Sequence, residues 1–124
     1  MRYLGIDYGS KRTGVAFSDA SGKIAFPHKV LLTDKKLVSE IKKICDEKKI
    51  SVIVLGQSLN YKGVPNPIQS DIANFKLHIE SLIKLPVHYQ SEILTSTEAA
   101  RSTGKDMLDS SAAALILQSY LDSI

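Results

Sequence analysis

The pattern of apolar and polar residues changes character at Thr33. Before it, short apolar or alternating stretches separated by turns predict three strands, at residues 2–7, 13–19 and 24–32. Because the turns between them are short, we expect an antiparallel meander. Pro27 cannot donate to a sheet ladder, so we expect it at an edge or an irregular position of the sheet.

Beyond Thr33 the pattern alternates between helices and strands. Apolar residues recur every three or four positions, with Thr33 or Asp34 as the expected cap of the first helix. The continuous run of apolar, β-branched residues at 51–56 is typical of a central strand in a parallel sheet. The later elements are strands at 51–56 and 87–90 and helices at 68–82 and 109–121. The order β-β-β-α-β-α-β-α predicts an α/β fold, with a mixed sheet and helices on its faces.

Composition narrows the class of protein. The 124 residues, 44% of them hydrophobic, suit a single domain over residues 1–124. The net charge of +3 and the pI near 9.0 suit a polyanionic partner, although many unrelated soluble proteins share that excess. Cys45 is the only cysteine and fits a buried helix position. The sequence shows no signal-like or bilayer-length apolar stretch, so we expect a cytoplasmic protein with no membrane partner.

Three carboxylates lie at the ends of predicted strands or at the start of a predicted helix. Asp7 ends the first strand, where an ionised side chain is costly unless it is solvated, paired or bound to a metal; a turn-capping aspartate explains the segment equally well. Glu92 follows the strand at 87–90. Asp109 is expected to open the last helix as an N-cap, or to join the other two as a ligand of Mg²⁺ or Mn²⁺.

Such a cluster could hold two metal ions, one activating a water for attack on a phosphodiester and the other stabilising the leaving oxygen. Glu98 forms a capping-box pattern with Thr95, so we favour a structural role for Glu98. Four basic residues could bind the phosphates of a nucleic acid, although solvation is the commoner fate of any one of them: Lys11, Arg12, Lys62 and Lys105.

Three segments carry a resemblance to a known family: LGIDYGSKRTGVAFSD at residues 4–19, SEILTSTEAAR at 91–101 and LDSSAAALILQSYL at 108–121. In this combination and order they resemble the YqgF, or RuvX, family of ribonuclease-H-like proteins, which are named as Holliday junction resolvases and as pre-16S rRNA nucleases. The resemblance spans nearly the whole chain. It implies a five-stranded sheet, three antiparallel strands and then two parallel ones, with helices on both faces. It also implies a metal-dependent site in which Asp7, Glu92 and Asp109 are catalytic.

The chain departs from the family pattern at three places. It has Ser91-Glu92-Ile93 where the family usually has Asp-Glu-Arg, and Gly56-Gln57-Ser58 where the family has Gly-Leu-Pro. The basic loop before the last aspartate is shortened to residues 101–106. The first turn is shared with sugar kinases, actin and heat-shock ATPases, but those proteins need two such domains to enclose a nucleotide, and 124 residues cannot supply both.

The resemblance implies a cytoplasmic nuclease that cuts structured RNA in ribosome biogenesis, at the 5′ end of pre-16S rRNA. Two alternatives stay open. One is a resolvase of DNA four-way junctions, and the other is a non-catalytic RNA-binding module of ribosome assembly. Because the apolar last helix can be buried within one chain, we expect a monomer rather than a homodimer.

Overall fold

The computed structural model describes residues 1–57, 69–91 and 105–124, and for residues 69, 91 and 105–111 it describes the backbone alone. Within these ranges, five strands and three helices follow one another in the predicted order β-β-β-α-β-α-β-α. The strands are β1 (Tyr3–Asp7), β2 (Arg12–Ser18), β3 (Ala25–Leu32), β4 (Val52–Gln57) and β5 (Val87–Ser91). The helices are α1 (Leu37–Lys48), α2 (Gln69–Ile83) and α3 (Lys105–Ser123).

The strands form one mixed sheet in the order β3-β2-β1-β4-β5. The pairs β1–β2 and β2–β3 are antiparallel, whereas β1–β4 and β4–β5 are parallel. The predicted meander followed by parallel strands is therefore confirmed, and Pro27 lies on the edge strand β3. Strands β1, β4 and β5 all end at one side of the sheet, which we call the Asp7 edge.

Helices cover both faces of the sheet, as predicted. Leu4, Ile6 and Ile53 point into a core closed by α1 and α2, which defines the α1/α2 face. Ala16 and Val54 point to the opposite side, the α3 face, where they meet Ala113 and Leu117. Alternation along each strand thus sends successive side chains into two separate cores.

Helix α3 runs antiparallel to β1. The ring of Tyr3, at the start of β1, lies 5.8 Å from that of Tyr120 near the end of α3. Two residues further along β1, a Cβ on Gly5 would stand 2.7 Å from Leu117 Cβ and 2.9 Å from the Ala113 carbonyl oxygen. The glycine is required because the helix packs directly on the strand backbone. The beginning of α3 consequently lies toward the Asp7 edge.

The predicted start of the first helix is wrong. Helix α1 begins at Leu37, and its N-cap is Lys36, without a side-chain capping bond. Asp34 Oδ1 instead accepts from the Lys36 N–H at 2.9 Å in the preceding turn. The Thr33 hydroxyl is already engaged, because it donates to the Gly9 carbonyl oxygen at 2.7 Å. Neither predicted cap is therefore the residue at which the helix starts.

The predicted start of the last helix is also wrong. Helix α3 begins at Lys105, four residues before Asp109, so Asp109 lies in its second turn and is not an N-cap. The apolar pattern missed the first turn because Lys105 and Asp106 are polar, although lysine, methionine and leucine in that turn all favour helix. Within the described ranges, no helix combines the length and apolar character needed to cross a membrane.

Candidate active site

Asp7 is a half-buried carboxylate at the end of the central strand. It pairs with Gly14 of β2, and Gly56 follows the β4 residue paired with Ile6. The positions directly opposite Asp7 on the two neighbouring strands are therefore glycines, and Arg12 follows on the same face of β2. Neither glycine belonged to the predicted site, because the relation of Gly14 and Gly56 to Asp7 depends on the register between strands.

Asp7 lies on the α3 face. Leu4 and Ile6 are buried in the core below α1 and α2, whereas Tyr3 and Gly5 contact α3. The alternation of the strand gives Asp7 the parity of Tyr3 and Gly5. The carboxylate thus stands between two glycines, on the face covered by the last helix.

The turn after Asp7 is held in place by Thr33. The Thr33 hydroxyl donates to the Gly9 carbonyl oxygen at 2.7 Å and lies 2.8 Å from the hydroxyl of the fully buried Thr13. The Thr33 N–H donates to the Lys11 carbonyl oxygen at 3.0 Å. A Cβ on Gly9 would collide with the Arg12 carbonyl oxygen. Gly9 is therefore needed for the close approach of two backbone segments.

Two of the four predicted phosphate-binding residues have described side chains. Lys11 is exposed in the turn, and Arg12 is the half-buried first residue of β2, with the parity of Gly14 and hence on the α3 face. Lys105 is the first residue of α3, with only its backbone described. Lys62 lies outside the described residues.

The other predicted acidic residues are less completely described. Glu92 and Glu98 lie outside the described residues, as does the capping box with Thr95. Asp109 has a described backbone in α3. Among the parts of the chain that are described, no three His, Cys, Asp or Glu side chains form a group that could hold a metal. The three-carboxylate cluster accordingly stays a prediction.

A groove of about 470 Å³ opens at the same edge, on the α1/α2 face. The Tyr8 ring packs against Phe75 of α2, with centroids 4.8 Å apart and planes tilted by 36°. Burial, and secondarily the negative charge of Asp71, raise the pKa of Tyr8. Asp71, Asn74 and His78 of α2 also line the groove, opposite Asp34 before α1. This groove was not predicted, because no local sequence pattern shows how α1 and α2 approach Tyr8.

Comparisons with known proteins agree with this architecture. The family model described as "RuvX: Holliday junction resolvase" matches residues 1–123. A protein of Syntrophomonas wolfei named "Putative pre-16S rRNA nuclease" is 36% identical over 133 residues, covering 98% of this chain and 94% of its own length. A protein of Clostridium kluyveri with the same name is 37% identical over 138 residues, covering 100% and 98%.

The fold also matches a solved structure. Thermus thermophilus RuvC superposes with a TM-score of 0.66 at 13% identity, covering 99% of this chain and 95% of that one. At that identity the likeness concerns the fold, which is the predicted ribonuclease-H-like one. With the family model and both relatives matched over nearly the full length, the chain belongs to the RuvX family of nucleases.

Proposed function

We propose that this chain hydrolyses phosphodiester bonds of structured RNA with the help of Mg²⁺ or Mn²⁺, and that the 5′ end of pre-16S rRNA is its substrate. The observation that carries the proposal is the setting of Asp7. Asp7 is a half-buried carboxylate at the end of the central strand, directly opposite a glycine on each neighbouring strand, and a metal ion at its oxygens would offset the cost of removing its charge from water. The names of the relatives support the choice of RNA.

Sheet register supports the inclusion of Glu92. Ser91, at the end of β5, pairs with Gln57 of β4, one residue beyond the level of Asp7. Only β4 separates β1 from β5, so the two strand axes are about 10 Å apart. His88 stacks on Tyr120 of α3, and position 92 has the parity of His88. If β5 continued in the same direction for one more residue, Glu92 would lie on the α3 face, as Asp7 does.

Helix spacing supports the inclusion of Asp109. It precedes Ala113 by four residues and Leu117 by eight, and both of those residues meet β1 at Gly5. Positions four apart share one face of a helix, and one turn rises about 5.4 Å. Asp109 therefore belongs to the sheet-facing side of α3, one turn closer to the Asp7 edge than Ala113.

The three carboxylates would hold the metal through oxygen atoms, which Mg²⁺ and Mn²⁺ prefer. The bound metal would supply a more acidic water and neutralise charge on the phosphate. Lys11, Arg12, Lys62 and Lys105 would bind neighbouring phosphates.

The serine at position 91 does not remove a ligand from this set. Position 91 has the β5 parity of Val87, which is buried in the core below α1 and α2. A family carboxylate there would therefore belong to the opposite face from Asp7. We propose that the three-carboxylate set is complete without it.

The experiment is cleavage of a pre-16S rRNA fragment with Mg²⁺ or Mn²⁺ by the wild type, Asp7→Asn and the control Asp46→Asn. Asp46 is an exposed carboxylate of α1, with 71% of its side chain accessible. We expect Asp7→Asn to lower the rate by more than about 100-fold, since even outer partners of a metal ligand contribute about 10- to 100-fold. Equal rates for wild type and Asp7→Asn would refute the proposed site.

A DNA four-way junction is the second candidate substrate, because the matching family model carries the resolvase description. Turnover of the junction and of the RNA fragment by the same preparation decides between them. A preference for the junction by more than about tenfold in kcat/KM, or roughly 1.4 kcal/mol, would replace the RNA assignment.

A non-catalytic RNA-binding module is tested by melting. A ligand that binds only the folded chain stabilises it by about 2.7 kcal/mol at 100 times its Kd. We expect Mn²⁺ to raise the Tm of the wild type but not of Asp7→Asn. No rise in the wild type, together with RNA binding that survives EDTA, would support the non-catalytic module.

A further inference from the structure

We propose that the groove between Tyr8 and helix α2 binds one unpaired, amino-bearing nucleobase of the RNA, next to the phosphate held at Asp7. This inference rests on the proposed function, because it assigns the groove to the same substrate. The groove volume of about 470 Å³ lies within the range of small-molecule sites, roughly 300–1,000 Å³.

The position of the groove suits a neighbouring nucleotide. Tyr8 follows Asp7 directly, so their Cα atoms are about 3.8 Å apart. The Tyr8 ring packs into the α1/α2 core, whereas Asp7 has the parity of the α3 face. Successive nucleotides of one strand are roughly 3.4 Å apart along a helix axis. A strand that crosses the Asp7 edge can therefore hold a phosphate at Asp7 and set an adjacent base over Tyr8.

The lining of the groove suits a base better than a phosphate. The partly exposed ring of Tyr8 supplies aromatic surface on which a base can stack, and it is backed by the buried ring of Phe75. The carboxylates of Asp34 and Asp71 disfavour a second phosphate, because like charges repel. Nucleic-acid affinity comes mainly from cations that contact phosphates, and among its lining residues the groove sets one lysine, Lys35, against the two carboxylates.

The same carboxylates favour particular bases. An ionised carboxylate only accepts hydrogen bonds, whereas the amide of Asn74 both donates and accepts. The matching ligand presents an exocyclic amino group, which adenine, cytosine and guanine carry and uracil lacks. Carboxylate recognition of a base amino group has a precedent in Glu or Asp accepting from cytosine N4.

The test is an NMR titration of the full chain in EDTA, with AMP, UMP and ribose 5-phosphate as probes. We expect AMP to shift the backbone amides of Tyr8, Asn74 and Phe75 in a saturable way, UMP to bind several-fold more weakly, and ribose 5-phosphate to leave these amides unchanged. No saturable shift with AMP up to about 10 mM, or equal shifts with ribose 5-phosphate, overturns the proposal.

Two variants test whether the ring of Tyr8 binds the base. Tyr8→Leu keeps an apolar side chain but removes the stacking surface, and we expect it to weaken AMP binding about tenfold. The control Phe26→Leu removes an exposed ring at the opposite end of the sheet, where Phe26 pairs with Phe17, and should leave AMP binding unchanged. If Tyr8→Leu binds AMP as well as the wild type does, the base site is wrong.

A short single-stranded adenine oligonucleotide tests whether the groove binds a base of RNA or a free nucleotide. An RNA base site predicts tighter binding of the oligonucleotide than of AMP, and a loss of that gain in Lys11→Ala. Preferential binding of free AMP would overturn the assignment to RNA. Because EDTA removes metal, Asp7→Asn should still bind AMP, so failure of the base site and failure of the nuclease site are separately visible.

Discussion

At the scale of single residues, Asp19 shows how one exposed carboxylate organises a turn. It accepts hydrogen bonds from the Ser21 hydroxyl at 2.5 Å and from the N–H groups of Lys23 and Ile24 at 2.9 and 3.1 Å. These bonds, led by that of Ser21, lower the pKa of Asp19 to about 2. The charged form is thus favoured more in the folded chain than in the unfolded chain, where aspartate titrates near 3.9.

The lowered pKa of Asp19 makes the stability of the folded chain decrease at low pH. The contribution of Asp19 to stability is fully present above about pH 4 and is lost as the pH falls toward 2. We expect Asp19→Asn to lower the Tm at neutral pH and the difference from wild type to shrink on acidification through that window. Thermal melting of both proteins between about pH 7 and pH 2.5 measures this difference in Tm. A difference that stays constant over this range would contradict the assignment.

Cys45 gives a second prediction at this scale. Its side chain belongs to the core below α1, and burial, aided by Asp46, raises its pKa to about 12. Because the thiolate is the reactive form, we expect a thiol reagent to modify the native protein more than about 100-fold more slowly than the urea-unfolded protein at about pH 8. Comparable rates in the two states would show that the thiol is accessible.

At the scale of elements, the hydroxyl of Thr33 joins the end of β3 to the turn after β1. In Thr33→Val the Gly9 carbonyl oxygen and the buried Thr13 hydroxyl each lose a partner. We expect the free energy of unfolding to fall by about 1–3 kcal/mol, measured by urea denaturation. Thr33→Ser keeps the hydroxyl and should restore most of the loss. If the serine variant is as unstable as the valine variant, the hydrogen bonds are not the cause.

The contact between α3 and β1 at Gly5 gives another prediction. In Gly5→Ala the added Cβ meets the backbone carbonyl oxygen of Ala113, which cannot turn aside as the end of a flexible side chain could. Helix α3 must shift, and we expect a loss of about 1–3 kcal/mol of stability. Since Asp109 moves with α3, the Mn²⁺-induced rise in Tm should also decrease. Unchanged unfolding and an unchanged response to Mn²⁺ would contradict this packing.

The elements also show what the sequence could and could not predict. Every strand lies within one residue of its predicted bounds: in β1, β2 and β4 the apolar runs coincide with buried stretches, whereas the mostly exposed β3 is delimited by the turns that flank it. The starts of α1 and α3 were missed because periodicity marks the packed face and not the polar first turn. Asp7 could be proposed from its place in the chain. Its neighbours Gly14 and Gly56, and the groove beside Tyr8, follow from register and helix docking, which no local pattern encodes.

At the scale of the whole molecule, we expect the effect of the net charge of +3 on RNA binding to depend on where the basic residues lie. Lys11 and Arg12 lie at the Asp7 edge, and each phosphate contact adds about 0.7 to the slope of log affinity against log salt for single strands. We expect Lys11→Ala/Arg12→Ala to weaken RNA binding in EDTA and to lower that slope by about 1 to 2. Fluorescence anisotropy at several salt concentrations measures it.

The matched control is Lys42→Ala/Lys43→Ala, which removes the same charge from exposed positions of α1. We expect a smaller change in slope from this pair. An equal change in both variants would show that total charge, and not the Asp7 edge, governs the interaction.

The packing of α3 has a consequence for synthesis of the protein on the ribosome. Helix α3 covers Ala16 of β2 and Val54 of β4 and lies on β1 at Gly5, yet it follows all five strands in chain order. A nascent chain can therefore pair its strands and bury the α1/α2 core while the opposite face stays open to solvent. Strands without their covering helix expose apolar surface that promotes misassembly. The final folding step thus waits for translation of α3, and the proposed metal ligand Asp109 arrives only with it.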